Sequence, residues 1–190
     1  LKRSVESTRR LVGVVQAMYE FAKIGFSCAK FSPTPLTPLV REVMADINID
    51  HSEDVRVKMH DLPVVWGNSD LLRRVFQNLF TNAIKYNHRE GVEISISFDG
   101  VVRRGIGEFA QITVADNGPG ISPSDSGRVF NMFSRGNGAD RGSEGLGIGL
   151  AIVQRIVELH HGQIELTSQP EDGARFTIYL PTGPIEPFKA

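Results

Sequence analysis

A mixed α/β fold of the α+β kind, with a layer of helices on a mostly antiparallel sheet and a long helix at the N-terminus, is predicted by three features of the sequence. Helical periodicity recurs in the first 26 residues, in "LTPLVREVMADIN", in "NSDLLRRVFQNLFTNAIKYN" and in "GIGLAIVQRIVELHH". Other stretches alternate apolar and polar residues, as strands with one face on a core do. The two kinds are mixed without strict βαβ alternation, which favours helices gathered on one side of the sheet.

Each element follows from local pattern. Leu1, Val5, Thr8, Val12, Val15, Tyr19, Ala22 and Phe26 keep a 4-3-4-3 spacing, and Leu11 and Met18 widen the stripe. This is a heptad seam on one long helix, read as an arm of a helical bundle with an intermolecular partner. "GFSCAKFSPTPLTP" reads as a linker, because Pro33, Pro35 and Pro38 forbid a continuous helix. Helical period resumes with Thr37 as the expected N-cap and Pro38 at the first helical position. "DVRVKMH" and "PVVWG" read as strands. The helix of residues 68–87 has Asn68 or Ser69 as its cap and Leu71, Leu72, Val75, Phe76, Leu79, Phe80 and Ala83 as its apolar face. "GVEISISFDG" and "EFAQITVADNG" are strands joined by a turn, "VVRRGIG". "PGISPSDSGRVFNMF" is a loop with one helical turn, and "SRGNGADRGSEG" a polar, glycine-rich loop. A helix from about residue 147 and a β-hairpin around Pro170–Gly173 complete the chain.

Composition narrows the function. The 190 residues carry a net charge of −1, so nothing draws the whole chain to nucleic acid or to an anionic membrane. A lone cysteine, Cys28, fits a reducing compartment, and no apolar run reaches the roughly 20 residues of a membrane span. The chain begins at Leu1, which suggests a piece of something longer. Residues 1–30 are expected to form the long helix and linker, and residues 31–190 one further domain.

Four polar clusters adjoin these elements. Asn78, Asn82 and Lys85 lie at i, i+4 and i+7 and share a helix face distinct from the apolar one. An amide oxygen suits Mg2+, which prefers oxygen and keeps several waters, and a nearby lysine suits phosphate. The alternative is an ordinary solvated face. In "ADNGPGI" Asp116 ends a strand, where its carboxylate can accept the exocyclic amino group of adenine and would repel guanine's carbonyl. Gly118 and Gly120 open the backbone to a ligand, though the same residues are strong turn formers. In "FNMFSRGN", Phe130 and Phe133 can anchor a loop and Arg135 can reach an anion. In "SEGLGIGLAIV", Gly145, Gly147 and Gly149 expose N–H groups at the positive end of a helix, an arrangement suited to a polyphosphate. Other glycine motifs fail: no strand immediately precedes these glycines, and no Gly-Lys-Ser/Thr follows.

The order of these clusters resembles the ATP-binding catalytic domain of sensor histidine kinases, within the wider GHKL superfamily. The resemblance covers about residues 36–181. "NLFTNAIKY" is similar to the N box, "DNGPG" to the G1 box, "FNMFSR" to the F box and "GLGIGL" to the G2 box. It implies the Bergerat two-layer sandwich, with ATP and Mg2+ as ligands. Asn82 would hold Mg2+, Asn78 and Lys85 would face the phosphates, and Tyr86 would lie near the base. Asp116 would read adenine, and residues 134–145 would form the ATP lid. Gly118, Gly120, Phe130, Arg135, Gly145, Leu146, Gly147, Gly149 and Leu150 complete the implied nucleotide set.

The N-terminal helix with "FAKIGF" resembles the second helix of the dimerisation and phosphotransfer hairpin. The acceptor histidine of that family is on the first helix, and none of His51, His60, His88, His160 or His161 sits in a matching motif. His160 matches a common position at the family's "E-x-H-G-G" helix end, where His161 replaces a glycine. Hydrolysing relatives carry a glutamate four residues before the Mg2+ asparagine. Here that place is Asn78, and an amide cannot take a proton from water. The expected activity is therefore transfer of the γ-phosphoryl group to a histidine outside these residues, for relay to a response regulator. The full protein is expected to be a homodimer, with this part cytoplasmic and touching neither nucleic acid nor membrane. An anti-sigma serine kinase and a nucleotide-binding regulatory module are the alternatives.

Overall fold

The computed structural model describes residues 30–49, 54–87, 91–105, 107–134 and 146–185, together with Gly13, Val15, Met18, Tyr19 and Ala22. Those five separate residues are helical, and Val15, Met18 and Tyr19 of the expected seam are exposed. Seam positions Leu1, Val5, Thr8, Val12 and Phe26 lie outside the described residues.

The described chain runs β1 (Ser32–Pro35), α1 (Leu36–Asp46), β2 (Val55–Met59), β3 (Val64–Gly67), α2 (Ser69–Tyr86), β4 (Val92–Arg104) and β5 (Gly107–Asp116). It continues through a single helical turn, α3 (Pro123–Ser126), then α4 (Gly149–Leu159), β6 (Gln163–Ser168) and β7 (Ala174–Pro181). Five strands form one sheet in the order β2-β4-β5-β7-β6. Only the β2–β4 pair in it is parallel, with Val55 opposite Val92, and the other three pairs are antiparallel.

Helices α1, α2 and α4 supply the second layer. All seven residues expected on the apolar face of α2 are buried. They join Val40 and Val43 of α1 and Val153, Ile156 and Val157 of α4 in one core. Opposite them stand Ile94 and Ile96 of β4, Ile112 and Val114 of β5, and Ile178 and Leu180 of β7. Each such side chain contributes about 1.5–3 kcal/mol when fully withdrawn from water. This core holds α2 and α4 side by side, and it thereby positions the polar ends of both.

The structure differs from local pattern at four places. The proline-rich linker contains β1, which pairs antiparallel with β3. Prolines are tolerated there because β1 lies at an edge and needs few of its own N–H donors. Thr34 between them is buried and donates to the Gly67 carbonyl at 3.0 Å. Thr37 does not cap α1, which begins at Leu36; its hydroxyl instead accepts from Leu62 N at 2.9 Å and donates to Leu62 O at 3.2 Å. The expected "VVRRGIG" turn is mostly strand, since β4 runs on to Arg104 after a bulge between Phe98 and Gly100. Finally, α4 starts at Gly149 rather than near residue 147, because Gly147 has a φ of +67° and cannot belong to a right-handed helix.

Candidate functional site

Helix α2 brings the first cluster into place. Asn68 caps it, its side-chain oxygen accepting Leu71 N at 3.0 Å. One face of α2 is buried, and Asn78, Asn82, Lys85 and Tyr86 are half-buried at its margin. Asn78 donates from Nδ2 to the Arg74 carbonyl one turn back at 2.8 Å. That anchors the amide and turns its oxygen toward α4. A Cβ added to Gly149 would stand 2.9 Å from Asn78 Oδ1 and 3.7 Å from Asn82 Nδ2. The N-terminus of α4 thus lies directly against both asparagines. Lys85 Nζ sits 5.2 Å from the centroid of the Tyr86 ring, within cation–π range.

The start of α4 has no side-chain cap and no acidic residue in its first turn. Among the described residues no side chain caps its opening N–H groups, and its dipole favours an anion. Leu150 is half-buried and packs on the core, and Leu146 is half-buried just ahead of Gly147. A polar groove between α2 and α4 is lined by Arg74, Gln77, Asn78, Thr81 and Ile152.

Asp116 ends β5. Its Oδ1 accepts the N–H of Gly118 at 2.8 Å and that of Ala174 at 3.3 Å. Burial pushes its carboxyl above the usual carboxylate range, and the two N–H donors partly offset this. A polar recess beside it is lined by Thr167, Ser168, Gln169, Gly173 and Arg175.

The glycines serve the protein's own packing more than the sequence suggested. Gly120 has a φ of +74°, and a Cβ there would fall 1.9 Å from the Gln169 carbonyl oxygen. At Gly147 it would fall 2.5 Å from Ser134 O, and the Gly147 carbonyl accepts Phe133 N at 2.9 Å. Those two contacts tie residues 133–134 to the segment leading into α4. Phe130 packs on the core as expected, but Phe133 is exposed, with a φ of +64°. Its backbone, not its ring, makes the anchoring contact. Arg135 and Gly145 lie outside the described residues.

Two residues with no role in the sequence reading help to assemble the site. Asn117, which the sequence offered only as part of "DNGPG", accepts from Asn87 Nδ2 at 2.6 Å and from Glu93 N at 2.8 Å, and donates to Gly91 O at 3.0 Å. It thereby joins the end of α2 to the Asp116 loop. Ser168 accepts Ile121 N at 2.8 Å and donates to Gly173 O at 2.6 Å, fixing the other side of that loop. The Asn87–Asn117 and Ile121–Ser168 bonds join residues 30 and 47 apart in sequence, so no local pattern announces them.

Amide-bearing helix, strand-end carboxylate and glycine-rich helix mouth are thus joined by direct contacts. Residues 67–184 match the family described as "Histidine kinase-, DNA gyrase B-, and HSP90-like ATPase". The chain belongs to that ATPase family. It is 37% identical to the adaptive-response sensory kinase SasA of Thermosynechococcus vestitus, over 77% of this chain and 38% of that protein. The fold of this ATPase domain is that of the mycobacterial sensor histidine kinase MprB, at a TM-score of 0.67 and 28% identity, covering 80% of this chain and 99% of that one. It also matches full-length ShkA, solved in complex with AMPPNP, at a TM-score of 0.70 and 25% identity, covering 97% of this chain and 39% of that one. The chain spans less than two fifths of the length of the curated relatives it matches. The α+β architecture expected from the sequence, a mostly antiparallel sheet under helices, is the one observed. Among the described residues no helix is long and apolar enough to cross a membrane.

Proposed function

We propose that the domain binds Mg-ATP between α2 and α4 and transfers the γ-phosphoryl group to a histidine carried outside residues 31–190. The observation that carries this reading is the contact of Asn78 and Asn82 with Gly149 at an uncapped helix N-terminus. It sets two neutral side-chain amides beside backbone N–H donors that no described side chain caps, the pairing that a metal-bound polyphosphate requires. The nucleotide-bound relative ShkA supports it, and so does the order of the four motifs.

Asp116 accepts the adenine amino group through the carboxylate that Gly118 and Ala174 hold in place. Tyr86 lies beside the base. Leu150 seats α4 on the core, and Gly118 and Gly120 shape the loop around the purine. Lys85, with the N–H groups from Leu146 to Leu150, balances phosphate charge; Arg135 and Gly145 are assigned here by motif alone.

The residues present fit a magnesium ion. Among the described residues the Asn82 amide makes no hydrogen bond, and it is half-buried beside Gly149. No group of three or more His, Cys, Asp or Glu side chains that could hold a metal exists among the described residues, which suits an ion held mostly by phosphate oxygens and water. Asn82 would be its protein ligand, and the ion would neutralise charge on the β- and γ-phosphates. Asn78 stands where a hydrolase would hold a basic carboxylate, so water is not activated and ATP survives until an acceptor arrives. In the transfer step the imidazole nitrogen forms a bond to the γ-phosphorus, the bond to the bridging oxygen breaks, and ADP departs with that electron pair. Positioning and charge neutralisation supply the catalysis.

On this reading residues 1–30 form a hairpin helix and linker, and the acceptor helix comes from the same or a partner subunit of a homodimer. The phosphoryl group passes on to a response regulator, and the domain works on the cytoplasmic side. Titration of the chain with ATP, with and without Mg2+, tests the site. Transfer of radiolabelled phosphoryl from ATP to a histidine in the longer protein tests the activity. Binding without any labelled histidine would leave a nucleotide-binding regulatory module.

A further inference from the structure

His160 is the most deeply buried polar side chain among the described residues, at 1% exposure, and no step above uses it. Three segments meet at its ring. Nδ1 lies 2.7 Å from the Ile156 carbonyl one turn back on α4 and donates to it. Nε2 is then the acceptor, and it takes the backbone N–H of Asn68 at 3.0 Å. Asn68 is the cap of α2, and its Nδ2 donates to the Lys30 carbonyl at 3.1 Å. Phe31 packs edge-on against the imidazole, with ring centroids 4.8 Å apart. Even the absence of a side chain at residue 67 belongs to this joint, since a Cβ there would lie 2.8 Å from the His160 ring.

Helices α2 and α4 are therefore braced at two points. One is Asn78 against Gly149, beside the nucleotide residues, and the other is Asn68 against His160. At a rise of about 1.5 Å per residue the braces are about 15 Å apart along α2. The nucleotide reaches from the α2 amides to the mouth of α4, so it selects one relative placement of the two helices. Any loosening of the far brace lowers the fraction of molecules in that placement, and apparent affinity falls by the same factor. The far brace also holds residues 30 and 31, through which the N-terminal segment enters the domain.

We propose that His160 is a positioning residue that couples the entering segment, at Lys30 and Phe31, to the spacing of the nucleotide-binding helices. This rests on the nucleotide reading above. The test is calorimetric titration of the chain with Mg2+ and AMPPNP, as the unmutated protein and as His160→Phe, His160→Gln, Phe31→Ala and the Phe31→Ala/His160→Phe double variant. It is run well below each variant's melting temperature, with the fold checked by circular dichroism. His160→Phe keeps a ring but loses both hydrogen bonds, and is expected to weaken binding about fivefold. His160→Gln can still donate and accept, and should return affinity to within about twofold. The double variant should bind no more weakly than His160→Phe, because both changes break one joint. A folded His160→Phe that binds as tightly as the unmutated chain overturns the coupling alone, as does strict additivity in the double variant. No binding by the unmutated chain overturns the coupling and the nucleotide reading together. Should His160→Phe fail to fold, the unmutated chain labelled with nitrogen-15 decides: the Asn68 amide and His160 ring signals shift on adding Mg-AMPPNP, or the coupling is wrong.

Discussion

Asn78 Oδ1 stands 2.9 Å from the place a Cβ on Gly149 would occupy, and this approach sets where α2 meets α4. A side chain at residue 149 must push the two helices apart or displace the amide. Gly149 opens α4, where alanine's preference over glycine is less than the roughly 1 kcal/mol of a helix interior and offsets only part of that cost. Gly149→Ala should therefore melt within a few degrees of the unmutated chain yet bind Mg-ATP about tenfold more weakly, as a shift of the site rather than loss of the fold requires. Unchanged affinity would show that the close approach is dispensable.

Asn82→Ala separates metal from nucleotide. Among the described residues the amide leaves no hydrogen-bond partner stranded, so stability should change by less than about 1 kcal/mol. Affinity for ATP in the presence of Mg2+ should fall about tenfold or more, while affinity measured in EDTA should hardly move. Equal losses with and without the metal would count against Asn82 as its ligand.

Asp116 gives a pH signature. Burial raises its carboxyl above the usual range, so in the folded chain it takes up a proton at a higher pH than when unfolded. The folded state then binds more protons, and ionising Asp116 costs stability as pH rises from the unfolded value of 3.8 through the raised folded one. Protonation removes a lone pair that adenine's amino group needs. ATP affinity should be flat near neutrality and fall as pH drops through the raised pKa. Asp116→Asn should bind ATP at least about tenfold more weakly at pH 7 and lose that pH dependence. A titration series from pH 7 to pH 4 on both proteins checks this.

His161 follows α4 with a φ of +57°, a conformation that costs a residue with a Cβ about 1 kcal/mol or more. It is the position at which many helices place glycine. His161→Gly should raise stability to denaturant by about 0.5–1 kcal/mol without altering nucleotide affinity, because the side chain is exposed and the strain is local. A lower midpoint would mean that the imidazole makes a contact worth more than the strain.

The periodicity of residues 68–87 determined the apolar face of α2 without help from the fold, since a 3.6-residue repeat leaves one way to bury seven such side chains. The same repeat put Asn78, Asn82 and Lys85 on one margin, and the turn-forming run after Asp116 marked a loop at a strand end. Other features needed the tertiary structure. The prolines of residues 32–35 hid an edge strand because pairing depends on a partner about thirty residues away. Gly120 and Gly147 looked like room left for a ligand; their neighbours are the carbonyls of Gln169 and Ser134, which no local window contains. The structural work of Asn117 and His160 lay in hydrogen bonds to Asn87, Glu93 and Asn68, groups that chain folding alone brings near. Sequence determined which faces are apolar and which residue types could meet a nucleotide. Tertiary packing decided which backbone groups stand opposite them, because hydrogen bonds and close approaches are properties of distance in space and not of spacing along the chain.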